Sequence, residues 1–162
     1  MSKSILDHVL AFQGFSQEQI SRIRPLFLLI YAPDGTVIFE QGEAAENLYV
    51  LINGEVAIRY KPDDGPEDVI AHVRPEGVVG WSAALGNPHY TSSAVCTADC
   101  QMLRVRNSDL RQLCENYPET GMLFLDRLAA MIAERLRTTH PQLVTMLEQG
   151  LAIHIIKPVA TG

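Results

Sequence analysis

Seven short β-rich runs separated by turn signals fill the middle of the chain, and they restrict the fold more than any other sequence feature. Clusters of Pro, Gly, Asn or Asp bound them. The sharpest turn signal is Asn53-Gly54, for which we predict a tight type I′ hairpin. Strands this short and evenly spaced favour an antiparallel barrel or jelly roll. The runs are FLLIYA, TVIFE, LYVLI, EVAIRY, DVIAHV, YTSSAVC and QMLRVR.

Helical periodicity flanks these strands on both sides. Ser16 and Gln19 form a capping-box pattern that predicts a helix over about residues 16–26. After the strands, we expect Asn107 or Ser108 to cap a short helix over DLRQLCEN. A long amphipathic helix is predicted over residues 119–138, then a short helix over QLVTMLEQ and a final strand over LAIHIIK. The fold class expected is mainly β: an antiparallel roll with an N-terminal helix and a long C-terminal helix.

Length and composition favour one compact domain. The chain has 162 residues, of which 47% are apolar and 20% charged. Its first residues lack the apolar core of a signal peptide, and no run approaches the ~18 apolar residues that cross a bilayer. We therefore expect a cytoplasmic protein without membrane contact. The three cysteines, Cys96, Cys100 and Cys114, are too few for a disulfide framework and are expected to be reduced.

The charge distribution argues against direct DNA binding. The formal net charge is −6, and residues 40–76 hold nine acids against three bases. A nucleic-acid surface needs clustered Lys and Arg to neutralise phosphates.

The sequence contains no motif that indicates catalysis. The histidines are scattered singly, without a metal-ligand spacing, and neither a Gly-x-Ser-x-Gly elbow nor a Walker loop occurs. Cys96 and Cys100 have a spacing that could hold a metal or sense oxidation, but thiols at strand ends usually only pack. We expect a protein that is not an enzyme and has no metal site.

An uncharged run, residues 77–98, contains no Asp, Glu, Lys or Arg. Its glycines and small polar residues are typical of a loop that cradles a small ligand. Without a fixed charge, such a loop suits a neutral, aromatic or weakly acidic ligand, or encloses no small ligand at all.

Both the order of elements and the motifs resemble a known family. The segment GTVIFEQGEAAENLYVLINGEVAI, residues 35–58, is similar to the first-hairpin signature of the cyclic nucleotide-binding domain found in catabolite activators and protein-kinase regulatory subunits. The segment NSDLRQLCENYPETGMLFLDRLAAMIAERLR is similar to that family's closing helices. The resemblance covers about residues 10–137 and includes the glycine spacing Gly35, Gly42, Gly54 and Gly80. It implies a domain over residues 1–138, followed by an extension over residues 139–162. The extension is too short and too poor in basic residues to form the helix-turn-helix of transcriptional members. We therefore expect a stand-alone module.

The resemblance also implies a site, and the sequence departs from it at two anchors. In the family, a glycine precedes an acid that binds the ribose hydroxyl, and an arginine about ten residues later holds the cyclic phosphate. Gly80 matches the glycine and Ala83 a small turn residue, whereas Trp81 replaces the acid and His89 or Tyr90 replaces the arginine. At about 1.5–3 kcal/mol per charge-assisted hydrogen bond, both losses weaken cyclic-nucleotide binding by roughly a hundred to more than ten thousand fold. A bound cyclic nucleotide is therefore disfavoured.

The remaining polar and aromatic residues of the loop are weaker candidates for ligand contact. Ser82 and Thr91 carry hydroxyls, His89 becomes cationic below about pH 6.5, and Trp81 can stack on a flat ring. Trp81 equally suits the core, and His89 a solvated turn. The predicted ligand-binding residues are Gly80, Trp81, Ser82, Ala83, His89, Tyr90 and Thr91.

Two functions follow as hypotheses. In the first, the chain is a non-catalytic module that senses a small ligand and signals through its C-terminal helix. In the second, it is a degenerate receptor that serves as a dimeric scaffold for a partner protein not identified by the sequence. The helix at 119–138 could only cover the roll with its apolar face, but its length of about 30 Å exceeds what a small roll can bury. For both functions, the resemblance implies a homodimer formed through this helix.

Overall fold

A computed structural model describes residues 12–82 and 86–139, with helix side chains described as far as residue 133. The polar capping box of Ser16 and Gln19 begins α1, Gln17–Ile23, which continues into a 3₁₀ turn, Arg24–Leu26. The described residues then form eight strands and two further helices. These are β1 (Phe27–Ala32), β2 (Val37–Phe39), β3 (Asn47–Asn53), β4 (Val56–Tyr60), β5 (Asp68–Val73), β6 (Val78–Val79), β7 (Ser93–Cys96), β8 (Cys100–Arg106), α2 (Asn107–Asn116) and α3 (Pro118–Thr139).

The strands form two four-stranded antiparallel sheets. The first sheet has the order β1-β8-β3-β6 and the second the order β2-β7-β4-β5. In the first sheet, β8 is central and pairs with β1 from Phe27 opposite Val105 to Ala32 opposite Cys100. The predicted antiparallel roll with flanking helices is confirmed, and the runs FLLIYA and DVIAHV coincide with β1 and β5.

Alternation along the strands of the first sheet separates two apolar clusters. Leu48 and Val50 of β3 face the helices, whereas Tyr49 and Leu51 face the second sheet. The helix-side cluster also contains Phe124, Leu128 and Met131 of α3 and the ring of Phe12, which stacks on Phe124 at 5.8 Å. The intersheet cluster is built from Ala32, Phe39, Ala45, Tyr49, Leu51, Val56, Val79, Tyr90, Ala94, Cys96, Cys100 and Met102.

The predicted Asn53-Gly54 hairpin is wrong, because β3 and β4 belong to different sheets. Asn53 remains in β3, and only Gly54 takes a positive φ, of 102°. A Cβ at Gly54 would lie 2.5 Å from the carbonyl oxygen of Asp99. Glycine is therefore needed for a corner between sheets that packs against the β7–β8 turn, and this neighbour is not visible in the local sequence.

The predicted side-chain cap of α2 is also wrong. The N-cap position is Arg106, which makes no side-chain capping bond, so Asn107 is the first helical residue. The Asn107 N–H instead donates to the Glu46 carbonyl at 2.7 Å. The long helix, Pro118–Thr139, matches the predicted helix within one residue at each end. The predictions for QLVTMLEQ and LAIHIIK lie outside the described residues.

In the part of the chain that the structure describes, no helix is both long and apolar enough to cross a membrane.

Candidate functional site

Gly80 opens the loop that follows β6, and its backbone requires a glycine. Its φ is +81°, and an added Cβ would lie 3.0 Å from the Asn47 carbonyl oxygen and 3.3 Å from Tyr90 Cε1. The loop backbone thus lies against the Tyr90 ring, and a side chain at this position would be both strained and tightly packed.

Tyr90 is built into the intersheet core. Its side chain is buried, and its ring stacks on Phe39 with centroids 3.7 Å apart and planes 10° apart. The Tyr90 hydroxyl donates to the Asn47 carbonyl at 2.6 Å and accepts from the Asn47 N–H at 3.0 Å. Burial raises the pKa of Tyr90 to about 12, although the hydrogen bond to Asn47 opposes this shift. The phenol is therefore neutral at physiological pH, and its hydroxyl is already used within the protein.

Backbone hydrogen bonds fasten the end of the loop to the β2–β3 connection. The Tyr90 N–H donates to the Glu43 carbonyl at 2.8 Å, and the Gly42 N–H donates to the Tyr90 carbonyl at 2.9 Å. The Ala45 N–H donates to the Pro88 carbonyl at 2.9 Å. These bonds hold Tyr90 in place independently of any ligand.

Trp81 and Tyr90, two of the predicted ligand-binding residues, lie in different clusters. Trp81 is half-buried and packs against the helix-side cluster, whereas Tyr90 belongs to the intersheet cluster. Ser82 is buried, and its hydroxyl lies 3.4 Å from that of Thr91, which is exposed. His89 is exposed and forms an isolated β-bridge with Ala44. Ala83 lies outside the described residues, and the seven-residue ligand site as a whole stays a prediction.

Arginines beside the loop were missed by the sequence reasoning. A cavity of about 860 Å³ is bounded by residues 45–47, 86–88, the end of β8 and the start of α2, and Arg104, Arg106 and Arg111 line it. The alternation of QMLRVR is the signal that places Arg104 and Arg106 on one face of a strand. Arg111 lies beside them only because the chain turns from β8 into α2, and the alternation of the strand does not indicate this turn.

The cysteine pair is packed within the intersheet core. Cys96 and Cys100 are buried free thiols, and the Cys100 thiol donates to the Glu55 carbonyl at 3.3 Å. Burial, together with the adjacent Cys100 thiol, raises the pKa of Cys96 to about 12, which suppresses its thiolate. Within residues 12–82 and 86–139, no three His, Cys, Asp or Glu side chains come together as a metal site.

Comparison with known proteins agrees with this architecture. The family model described as "Cyclic nucleotide-binding domain" matches residues 29–117, more than half of the chain. The CRP-like cAMP-activated global transcriptional regulator of Mycobacterium tuberculosis is 26% identical over 146 residues, covering 88% of this chain and 63% of the regulator. The chain thus spans less than two thirds of that relative's length.

Solved structures show the same fold. A Geobacter metallireducens protein, whose name places it among cyclic nucleotide-binding proteins, superposes with a TM-score of 0.74 at 28% identity, covering 84% of this chain and 98% of that one. The catabolite activator protein of Thermus thermophilus superposes with a TM-score of 0.66 at 27% identity, covering 88% of this chain and 62% of that one. The chain belongs to the cyclic nucleotide-binding domain family.

Proposed function

We propose that this chain is a non-catalytic regulatory module in which a small ligand at the loop of residues 80–91 alters the position of α3. One observation carries the proposal: Trp81, the second residue of the loop, packs against the cluster that contains Phe124, Leu128 and Met131 of α3. We expect a ligand that moves Trp81 to disturb this cluster, and through it the packing of the helix. We take residues 1–138 as this module and 139–162 as an extension.

The ligand we propose is neutral, aromatic or weakly acidic. The names of several relatives include cAMP, but this loop lacks the acid and the arginine that hold a cyclic nucleotide in the family's manner. The Tyr90 hydroxyl does not replace that arginine, because Asn47 uses it as both donor and acceptor. The Ser82 and Thr91 hydroxyls, 3.4 Å apart, remain as a polar pair that could contact such a ligand.

Signalling would follow from differential affinity. A ligand that binds better when Trp81 is packed favours one position of α3, and a ligand that binds better when Trp81 is displaced favours another. The shift in the equilibrium equals the difference between the two affinities, so a ligand without that preference transmits nothing.

A second copy of the chain is the partner that we propose for α3. Phe124 and Leu128 face the roll, while Met122 and Ala129 are exposed on another side of the same helix. Met122 exposes 68% of its surface. Met122 and Ala129 are seven residues apart and lie on one side of α3, next to half-buried Leu125 and exposed Asp126. This side is the one that we propose pairs with an identical helix. A cytoplasmic site of action without direct DNA contact is part of this proposal. The absence of DNA contact rests on residues 40–76, which hold nine acids against three bases.

One observation favours a second candidate, a dimeric interaction scaffold that binds no nucleotide. The Phe39–Tyr90 stack occupies the roll interior beside Gly80 and is fixed by the two hydrogen bonds to Asn47. If its own side chains fill the roll, the chain keeps the outer surface typical of the family but has no space inside for a small ligand.

A thermal-shift screen with cyclic AMP, cyclic GMP, cyclic dinucleotides and uncharged aromatic compounds separates the two candidates. The sensing proposal predicts that at least one compound raises the melting temperature and changes the fluorescence of Trp81, the only tryptophan of the chain. Thr91→Val should reduce that rise. Thr97→Val, in the exposed turn after β7 where the hydroxyl bonds Glu55, should preserve it. Flat melting curves for all compounds, from protein that is dimeric by light scattering, would favour the scaffold.

A further inference from the structure

The arginine-lined cavity beside the loop is a second feature that the proposed function does not use. It has a volume of about 860 Å³, within the range of pockets for small molecules. Its walls come from three separate parts of the chain: the β2–β3 connection, the loop at Gly86–Pro88, and the junction of β8 with α2. The arginines are therefore brought together by the fold and not by sequence adjacency alone.

The geometry of the junction directs all three arginines to one place. Arg104 and Arg106 are two residues apart on β8 and share a face of the strand, opposite Tyr49 and Asn47 of β3. Arg111 follows Ser108 by three residues on α2, so the two lie on one face of that helix. All of these side chains except Tyr49 line the cavity.

The positive charge of the cavity is only partly balanced by acidic residues of the cavity. Among the described residues, no carboxylate forms an ion pair with Arg104, Arg106 or Arg111. Glu46 is the one acidic residue that lines the cavity, which leaves a formal excess of two positive charges in a chain of net charge −6. Such a concentration of positive charge, against the overall charge of the chain, attracts an anion.

We propose that this cavity binds a small molecule through a phosphate group, at a site separate from the loop position that holds cyclic phosphates in the family. Guanidinium groups suit phosphate because their planar N–H donors form paired bonds to its oxygens. Ser108, Asn47 and Asn87 add uncharged polar groups around the arginines. The volume accommodates a mononucleotide or a sugar phosphate as well as the phosphate itself.

The site also adjoins the proposed sensing loop. Asn87 and Pro88 line the cavity, and Asn47 both lines it and holds the Tyr90 hydroxyl. A ligand in the cavity would therefore contact the loop at Asn87 and Pro88. This coupling rests on the proposed function, whereas binding in the cavity does not.

Calorimetric titration with pyrophosphate and AMP at low salt, with adenosine as the uncharged control, tests the site. We expect saturable binding of pyrophosphate and AMP but not of adenosine, and a loss of affinity of about tenfold or more in Arg106→Gln and in Arg111→Gln. Both side chains are exposed, so neither change should impair folding. Arg74→Gln, an exposed arginine outside the cavity, is the matched control and should bind like the unmodified protein.

Three results would overturn the proposal. They are absence of saturable binding of both probes at millimolar concentration, equal binding by the three variants, and binding of a short single-stranded oligonucleotide through these arginines when AMP and pyrophosphate do not bind. Trp81 fluorescence separates this proposal from the proposed function. Probe binding without a fluorescence change would confirm the cavity and contradict its coupling to the loop.

Discussion

Tyr90→Phe isolates the contribution of one hydroxyl to the candidate site. The change keeps the ring, and hence the stack on Phe39 at 3.7 Å, but removes the partner of the Asn47 N–H and carbonyl. Each hydrogen bond contributes about 0.5–1.5 kcal/mol net, so the free energy of unfolding should fall by about 1–3 kcal/mol. In a domain of this size each kcal/mol lowers Tm by about 2–4 °C.

Urea unfolding followed by circular dichroism measures this loss, and Tyr31→Phe is the matched control. Tyr31 is 72% exposed, and its hydroxyl accepts one bond from Gln101 Nε2 at 3.0 Å. Its removal should change the free energy of unfolding by less than about 0.5 kcal/mol. Equal stability of the two variants would refute the inference that Tyr90 is locked by Asn47.

The raised pKa of Tyr90 adds a pH dependence with a definite sign. The phenol has an ordinary pKa near 10.0 in the unfolded chain and about 12 in the folded protein, so the folded state retains the proton more strongly. Its contribution to stability is fully present below about pH 10 and is lost as the pH rises towards 12. Tyr90→Phe should remove this part of the alkaline destabilisation, and an unchanged alkaline profile would contradict the assignment.

Two further perturbations test the corner between the sheets and the helix face. In urea unfolding, Gly54→Ala should destabilise the protein by about 1–3 kcal/mol more than Gly35→Ala. Both glycines have a positive φ, but of the two only Gly54 would place its added Cβ within 4 Å of neighbouring atoms. Equal losses of stability would show that the close approach to Asp99 does not matter. Ala129→Glu should weaken dimerisation at least about tenfold in sedimentation equilibrium, because it places a charge in the proposed interface. Glu115→Gln on α2 is the control and should leave dimerisation unchanged. An unaffected Ala129→Glu dimer would show that α3 does not form the interface.

Much of the fold could be predicted because its signals are local. The runs that form β1 and β5 are bounded by helix or turn residues, and their bounds match the strands. The two-residue strand Val78–Val79 was not predicted, since it is too short to show a period and is defined by its pairing with Tyr49 and Val50. Gly54 shows the same limit: its turn signal is local, but which strand β3 pairs with is not.

The candidate site was less predictable because it depends on contacts distant in sequence. Residues 77–98 contain no Lys or Arg, but Arg104 and Arg106 reach the adjoining cavity from β8. The sequence predicts Trp81 and Tyr90 as ligand-binding residues of one loop. The structure separates them onto the two faces of the first sheet, which no periodicity in the loop sequence indicates.

Calorimetric titration of the unmodified protein with cyclic AMP at neutral pH tests the central claim most directly. If rings have replaced the two charged anchors, affinity should be at least about a hundredfold weaker than that of a domain with both anchors. Sub-micromolar binding of cyclic AMP would contradict the claim and would show that another group, with Arg104 the first to examine, replaces the missing anchors.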